Sequence, residues 1–281
     1  MSRTMAEVNR LLKKTAGLIN NDTESLFQGE FRVGVDLGTA DIQTIVLDAA
    51  GNPIAAFMDW TNVVRDGVVV DFFGASQIVR EQVRRANAKL GINIEQVITS
   101  FPPGTDSRIS TNVIEAAGLE VAGVIDEPSS VAQLLQLDHA AVVDIGGGTT
   151  GTAIIEQGRV VRSMDDATGG RHITLTLAGH FGLPYEEAEE MKRTSKDLAL
   201  CRLAAPVIGK MADIVHGHIE GHKVPAIYLT GGSCALPGFL EVFAAEFPGT
   251  EIVMPSHPLY LTPLAIATYS DVIRAKEQRV G

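Results

Sequence analysis

The chain contains two copies of one strand–turn–strand pattern, and this duplication restricts its fold more than any other feature. The copies cover residues 31–51 and 140–158. In each, an apolar run ends at an aspartate, Asp36 or Asp144, before a tight turn of Gly and Thr and a second apolar run. A third apolar segment follows each copy, over residues 53–57 and 159–164. This alternation predicts antiparallel strands joined by tight turns, repeated in two lobes.

The turns of the two copies have the chemistry of a phosphate site. Glycine lets a backbone approach an anion closely, and the amide groups of the turn can then point at it. Taken alone, residues 36–39 fit a plain β-turn equally well. Residues 144–150 include three consecutive glycines, and residues 229–233 deliver Gly-Gly from a strand to a helix start. The three loops together favour a nucleotide cleft, in which the paired aspartates suit a hydrated Mg²⁺.

Periodicity and turn residues predict the remaining elements. Helices are expected at residues 75–90, 107–117, 129–137, 171–181, 185–194, 198–219, 238–247 and 262–276. Further strands are expected at residues 96–101, 121–126, 226–230 and 251–254. Asp106 is a candidate cap for the helix that follows it. Pro206 predicts a kink or a break in the helix that contains it.

Composition excludes several classes of function. The 281 residues carry a net charge of −11, which disfavours nucleic acid and anionic membranes as partners. Apolar runs fall short of the roughly 18 residues that a membrane-spanning helix needs, and a secretory signal is not evident. The two cysteines, Cys201 and Cys234, have no metal-site spacing and are interpreted as reduced thiols. These features predict a cytoplasmic protein.

Other catalytic and metal motifs are weak. His218 and His222 could share a helix face with His216 nearby, but no cysteine or further acid completes a metal set. Ser233 lies outside any G-x-S-x-G nucleophile elbow. A G-x-G-x-x-G dinucleotide motif after a first strand is also missing.

The first 30 residues differ from the rest. Residues 6–19 have helical apolar spacing and lead into a polar linker. The segment could be a helix lying back on the domain, a partner-docking arm or a membrane-surface helix. Its narrow stripe lacks Trp and Phe, which favours the first two alternatives.

The order of the loops resembles that of the superfamily of actin, sugar kinases and seventy-kilodalton heat-shock chaperones. The corresponding motifs are two phosphate loops, two connecting segments and an adenosine loop, at residues 36–39, 144–149, 127–132, 263–268 and 230–237. The resemblance implies an α/β, actin-like ATPase fold with two RNase H-like lobes around a nucleotide cleft. The implied division is an arm at 1–30, lobe I at 31–138 plus 260–281, and lobe II at 139–259.

Within this superfamily, residues 99–135 are similar to DnaK-type chaperones. Four further phrases, at residues 64–67, 71–75, 100–106 and 211–215, carry a closer match, and with them the chain as a whole looks closest to the ethanolamine-utilisation EutJ family. The EutJ family is described as chaperone-like. The resemblance implies assistance to ethanolamine-degrading enzymes or to the bacterial microcompartment that houses them.

The resemblance also implies roles for individual residues, with ATP or ADP and Mg²⁺ as cofactors. Asp36 and Asp144 would hold Mg²⁺ through water, and Glu127 would position the attacking water. The implied phosphate contacts are Gly38, Thr39, Gly146, Gly147, Gly148 and Thr149. The implied adenosine contacts are Gly231, Gly232 and Ser233, with Glu189 and Lys192 at the ribose and base.

Three departures from the chaperone pattern bear on activity. The chaperones have a catalytic lysine in lobe I, whereas no lysine occurs here between residues 31 and 87 and Arg65 is the only cation in the corresponding stretch. Asp41 would oppose a γ-phosphate at close range. We therefore expect ATP hydrolysis to be slow or absent. The sequence also predicts no separate peptide-binding domain. A nucleotide-dependent filament or scaffold, and a small-molecule phosphotransferase, stay open as alternatives.

Overall fold

The structure is a computed structural model that describes residues 4–65 and 68–269, with two five-stranded sheets and surrounding helices. The first part of the chain forms α1 (Met5–Leu18), β1 (Phe31–Leu37), β2 (Asp41–Asp48), β3 (Pro53–Trp60), β4 (Val64–Arg65), β5 (Val68–Val69), α2 (Phe72–Leu90), β6 (Gln96–Phe101), α3 (Arg108–Ala116), β7 (Glu120–Asp126) and α4 (Glu127–Leu135). The second part forms β8 (Ala140–Ile145), β9 (Thr150–Glu156), β10 (Arg159–Asp166), α5 (Gly170–Phe181), α6 (Tyr185–Thr194), α7 (Leu198–Ile219), β11 (Ala226–Thr230), α8 (Phe239–Ala245), β12 (Glu251–Val253) and α9 (Leu261–Thr268). Short 3₁₀ turns lie at Gly232–Ala235 and Pro258–Tyr260.

The two large sheets have the same design. Their strand orders are β3-β2-β1-β6-β7 and β10-β9-β8-β11-β12. In each, the first three strands pair antiparallel, and two later strands continue the sheet in parallel on the other side of the first. The predicted duplication and the two-lobed α/β fold are confirmed. Because β1 and β8 occupy matching central positions, Asp36 and Asp144 lie near matching strand ends.

Three main apolar clusters hold the molecule together. One lies between the first sheet and α2 and α3, and a second lies between the second sheet and α5, α7 and α8. The third joins the inner faces of both sheets through α4 and α9, which pack against each other. This shared middle cluster joins the two sheets through α4 and α9, and the loops at the ends of β1 and β8 border one cleft.

The N-terminal helix α1 lies back on lobe I. Thr4 caps it and Glu7 completes a capping box, while Val8, Leu11 and Leu12 are buried against the middle cluster. The linker that follows is fastened to α2, where the Lys89 ammonium donates to the carbonyls of residues 21 and 23. Of the alternatives for this segment, the structure shows the helix that packs on its own domain. The predicted lobe boundaries stay a prediction, and residues 270–281 lie outside the described residues.

Two helix starts, and the ends of α4 and α8, differ from the sequence prediction by two or three residues. Helix α2 begins at Phe72, not at 75, because Asp71 accepts a hydrogen bond of 2.8 Å from the amide of Gly74. Helix α4 begins at Glu127, not at 129, because Asp126 accepts one from the amide of Ser129. Helix α7 continues through Pro206, so the predicted interruption is not a break. The predicted extension of the last helix to 276 lies outside the described residues. Within the described part of the chain, the helices are too short or too polar to cross a bilayer.

A close approach between β1 and α9 gives a stability prediction. A Cβ atom on Gly34 of β1 would lie 2.5 Å from the backbone nitrogen of Ala267 in α9. We expect Gly34→Ala to lower the free energy of unfolding by about 1–3 kcal/mol through overpacking. Gly209→Ala inside α7, where a Cβ meets no described atom within 4 Å, should be neutral or stabilising by up to about 1 kcal/mol. Urea unfolding measures both, and an unchanged midpoint for Gly34→Ala contradicts the predicted clash.

Candidate functional site

A cleft with about 790 Å³ of empty space, part of it open to solvent, lies between the lobes. It is lined by the loops after β1, β8 and β11, by the start of α4 and by α6. The predicted site residues that border it are Asp36, Gly38, Thr39, Glu127, Asp144, Gly146, Gly147, Thr149, Glu189, Lys192, Gly231, Gly232 and Ser233. Of the predicted set, only Gly148 is not among the lining residues. The structure therefore brings the predicted residues together, while their chemical roles stay predictions.

The two glycine turns meet at the centre of this cleft. A Cβ atom on Gly147 would lie 2.7 Å from the Cβ of Ala40, which belongs to the turn after β1. Behind the second turn, the Gly146 carbonyl accepts hydrogen bonds from the Gly170 amide at 2.9 Å and the Ser233 hydroxyl at 2.7 Å. Gly148 is buried and lies against Gly169. A Cβ atom added to Gly169 would lie 2.6 Å from the carbonyl carbon of Gly148. Close contacts thus explain the glycines at positions 147 and 169, and the turns approach each other from opposite lobes.

Asp36 and Asp144 are buried at the ends of β1 and β8. One oxygen of each accepts a hydrogen bond from a hydroxyl, Ser100 to Asp36 at 2.8 Å and Thr262 to Asp144 at 2.6 Å. Burial, with the charges of Asp41 and Asp144, raises the pKa of Asp36 to about 7. Burial raises the pKa of Asp144 to about 6. The ionised form of both carboxylates is therefore costly unless a positive charge joins them.

Further carboxylates lie beside this pair. Burial raises the pKa of Glu127 well above its ordinary value, and the charges of Asp36 and Asp144 add to the effect. Burial also raises the pKa of Asp41 to about 6 and that of Asp165 to about 7. Asp165 lies near the end of β10 and was not predicted from the sequence. The only local sequence signal that could have pointed to Asp165 is its position as an acid near the end of the third strand of the second copy.

The cations of the cleft come from lobe II. Among the described residues that line it, the positively charged side chains are Lys192 and Arg193 of α6. The Lys192 ammonium contacts the Glu189 carboxylate at 2.8 Å and donates to the Gly170 carbonyl at 3.1 Å. Burial lowers the pKa of Lys192. The described lining residues of lobe I include no cation, and the side chain of Arg65 lies outside what the structure describes.

Arg193 connects the two lobes across the mouth of the cleft. Its guanidinium lies 4.4 Å from the ring centroid of Trp60, at the end of β3, in a cation–π contact. It also contacts the Glu190 carboxylate at 3.0 Å. The sequence prediction missed Trp60, Arg193, Gln43 and Thr262, because each reaches the cleft through contacts between segments that are distant in the chain.

The donor set at Asp36 and Asp144 fits a hydrated Mg²⁺. Both donors are carboxylate oxygens, which this cation prefers, and burial, the main cause of their raised pKa values, leaves their ionised forms in need of a positive charge. Over residues 4–65 and 68–269, no group of three or more His, Cys, Asp or Glu is placed to hold a metal. Contact through water, as the sequence resemblance implied, needs no such direct set.

The three histidines near the end of α7 contact separate partners. His218 contacts the Thr152 hydroxyl at 2.9 Å and the Asp166 carboxylate at 2.7 Å. His222 contacts a carboxylate of β9, and His216 contacts a backbone carbonyl after α8. Their contacts are accounted for by packing between α7 and its neighbours.

The cleft carboxylates give a pH prediction for the protein free of metal and nucleotide. Their pKa values are raised in the folded state from 3.8 to about 6 or 7. The folded state therefore binds protons more tightly than the unfolded state, so stability should fall as pH rises from about 4 to about 7. Urea midpoints at pH 5 and pH 8 in EDTA measure this. Asp165→Asn should reduce the fall and the exposed Asp138→Asn should not. Midpoints that rise with pH contradict the prediction.

Comparisons with known proteins agree with the observed fold. A family model for cell division protein FtsA matches residues 141–265, and one for MreB/Mbl protein matches residues 57–182. The structure superposes on MreB5 of Spiroplasma citri bound to AMPPNP with a TM-score of 0.72 and 16% identity, over 91% of this chain and all of that one. Chaperone protein DnaK of Thermus thermophilus is 29% identical over 138 residues, 46% of this chain and 22% of DnaK.

The chain has much higher identity to ethanolamine utilization proteins. Ethanolamine utilization protein EutJ of Escherichia coli K12 is 51% identical over 255 residues, which is 91% of both chains. The crystal structure of EutJ from Carboxydothermus hydrogenoformans gives a TM-score of 0.89 at 42% identity, over 95% of this chain and all of that one. The chain therefore belongs to the ethanolamine utilization protein EutJ family, within the superfamily of actin-like and seventy-kilodalton heat-shock type ATPases.

Proposed function

We propose that this protein binds ATP or ADP with Mg²⁺ between its lobes and acts in ethanolamine utilisation as a nucleotide-dependent, chaperone-like protein. The observation that carries the proposal is the meeting of the two glycine turns in one cleft, with Gly147 against Ala40 and the two aspartates behind them. The related fold of MreB5, solved with AMPPNP and with ADP, supports a nucleotide as the ligand.

The phosphates are the best-matched part of this ligand. Backbone amides of the turns after β1 and β8 can face phosphate oxygens from two sides, since glycines remove the Cβ atoms that would hold an anion away. Asp36 and Asp144 would hold Mg²⁺ through water. Mg²⁺ supplies the positive charge that offsets the phosphates and the carboxylates together. The chain's own contribution is to fix these groups before the ligand arrives.

The adenosine would lie beside the loop after β11. Gly231 has a φ of +93°, and a Cβ there would overlap the Ile145 carbonyl oxygen and Asp144 Oδ1. This glycine lets the adenosine loop lie directly against the end of β8. Glu189 and Lys192 reach the same cleft from α6, which matches their proposed place at the ribose and base.

Hydrolysis is proposed to be slow. Glu127 opens α4 at the cleft and can orient a water for in-line attack, which is most of what a protein contributes to this reaction. The described lining of lobe I, however, offers no cation to offset charge on the γ-phosphate, and Asp41 adds negative charge nearby. The bound nucleotide would then act mainly by setting the angle between the lobes, a hinge motion that a partner can read.

The proposed partners are the ethanolamine-degrading enzymes or the proteins of their microcompartment. Family membership supports the pathway, and the partial match to DnaK supports a chaperone-like task. In this proposal the protein works in the cytoplasm, alone or beside the microcompartment. A change of client contact with nucleotide state is the property that distinguishes this function from a passive scaffold.

Asp144→Asn tests the nucleotide site with little change in side-chain size. Wild-type protein should melt at a higher temperature with millimolar Mg-ADP or Mg-ATP, because a ligand that binds only the folded state stabilises it. The variant should lose most of this increase. Its melting temperature without ligand should stay equal or rise at neutral pH, because burial raises the pKa of Asp144 to about 6 and makes its charge costly.

Asp138→Asn is the matched control, since Asp138 is 79% exposed and lies outside the cleft lining. It should keep the full ligand-induced increase. Wild-type protein whose melting temperature does not respond to either nucleotide at saturating Mg²⁺ would rule out the proposed site.

A further inference from the structure

Gln43 of β2 has an unusual position in the cleft. It is 1% exposed and belongs to the cleft lining. Its amide nitrogen Nε2 donates to Asp41 Oδ1 at 2.7 Å and to the Leu259 carbonyl at 3.2 Å. Its amide oxygen Oε1 is buried and accepts no hydrogen bond from any residue that the structure describes.

The orientation of this amide follows from its neighbours. Asp41 in its ionised form and the Leu259 carbonyl only accept hydrogen bonds, so the donor nitrogen of Gln43 must face them. The oxygen then faces the other way. Gln43 is directly opposite Asp36 in the antiparallel pairing of β1 and β2, and opposed residues project from the same face of a sheet. The unpaired oxygen and the Asp36 carboxylate thus belong to the same face.

A buried amide oxygen without a donor typically costs about 1–3 kcal/mol. Asp41 already accepts from Gln43 Nε2, and the acids that line the cleft with it are acceptors only while they are ionised. The hydrogen-bond donor that Gln43 Oε1 lacks would therefore have to come from a ligand that binds in the cleft. The water molecules of a hydrated cation are donors on their outer side and carry the positive charge that the carboxylates need.

We propose that Gln43 is a positioning residue for the hydrated Mg²⁺, with Oε1 accepting a hydrogen bond from a water of its shell. Asp41 holds the amide in the orientation that presents oxygen to the cation, so the carboxylate that opposes a γ-phosphate also has a structural task. This inference rests on the proposed function, and it assigns the third protein anchor of the cation beside Asp36 and Asp144.

Gln43→Leu removes the amide at similar size without changing charge. Titration calorimetry with ADP in EDTA and in Mg²⁺ gives two affinities, and their ratio is the tightening due to Mg²⁺. We expect the affinity in EDTA to change little and the tightening to fall by roughly tenfold or more, as losses of outer-shell partners do. Thr44→Val is the matched control. Thr44 is the next residue of β2, and its hydroxyl donates to Gln82 at 2.8 Å on the other face, so the tightening should be kept.

Two variants of Asp41 separate orientation from charge. Asp41→Asn and Asp41→Ala both remove the negative charge, but only the asparagine keeps an oxygen that can accept from Gln43 Nε2. If Asp41 orients the amide, Asp41→Asn keeps more of the tightening than Asp41→Ala. Equal losses in the two variants overturn the assigned role of Asp41.

A folded Gln43→Leu protein that keeps the full tightening overturns the inference about Gln43. If the wild-type protein binds no nucleotide, the proposed function is rejected. Mn²⁺ binding, measured by electron paramagnetic resonance, then decides the inference about Gln43. Weaker Mn²⁺ binding by Gln43→Leu than by wild type supports it. Equal binding, or no Mn²⁺ binding by wild type, overturns it.

Discussion

The cost of burying several carboxylates between the lobes is the constraint on which the rest of the site depends. Asp36, Asp41, Glu127 and Asp144 share one cleft, and burial raises the pKa of each. A fold that serves only its own stability would gain from removing such charges. The cost of burying these carboxylates is understandable if a cation and an anionic ligand bind together. The glycine turns, which suit the anion, and the aspartates, which suit the cation, then form one binding site. Two copies of the same strand pattern supply both.

The sequence contained enough local information to predict most of the fold. The bounds of α6 and β11 agree with the structure residue for residue, because periodicity and turn residues are local signals. Starts of α2 and α4 were misplaced, since a side-chain cap competes with the apolar pattern in deciding where a helix begins. The glycines and aspartates of the cleft were predicted because they form motifs. Gln43 and Arg193 were not, because their positions depend on contacts between distant segments.

The lobes contribute unequally to the cleft. Both supply a carboxylate and a glycine turn, but the described cations of the lining stand on one helix of lobe II. Lys192 is already engaged by Glu189, Gly170 and Thr174. Its charge therefore helps to fix α6 against α5 as well as to face a ligand. In the proposed function, an added divalent cation would supply the balancing positive charge near lobe I.

The contact between Arg193 and Trp60 has a practical consequence. Trp60 is the single tryptophan of the chain, it is 44% exposed, and its ring meets a guanidinium that belongs to the opposite lobe. Any separation of the lobes changes the surroundings of that indole. The intrinsic fluorescence of the protein is therefore a built-in optical gauge of cleft opening, readable in solution without attaching a dye.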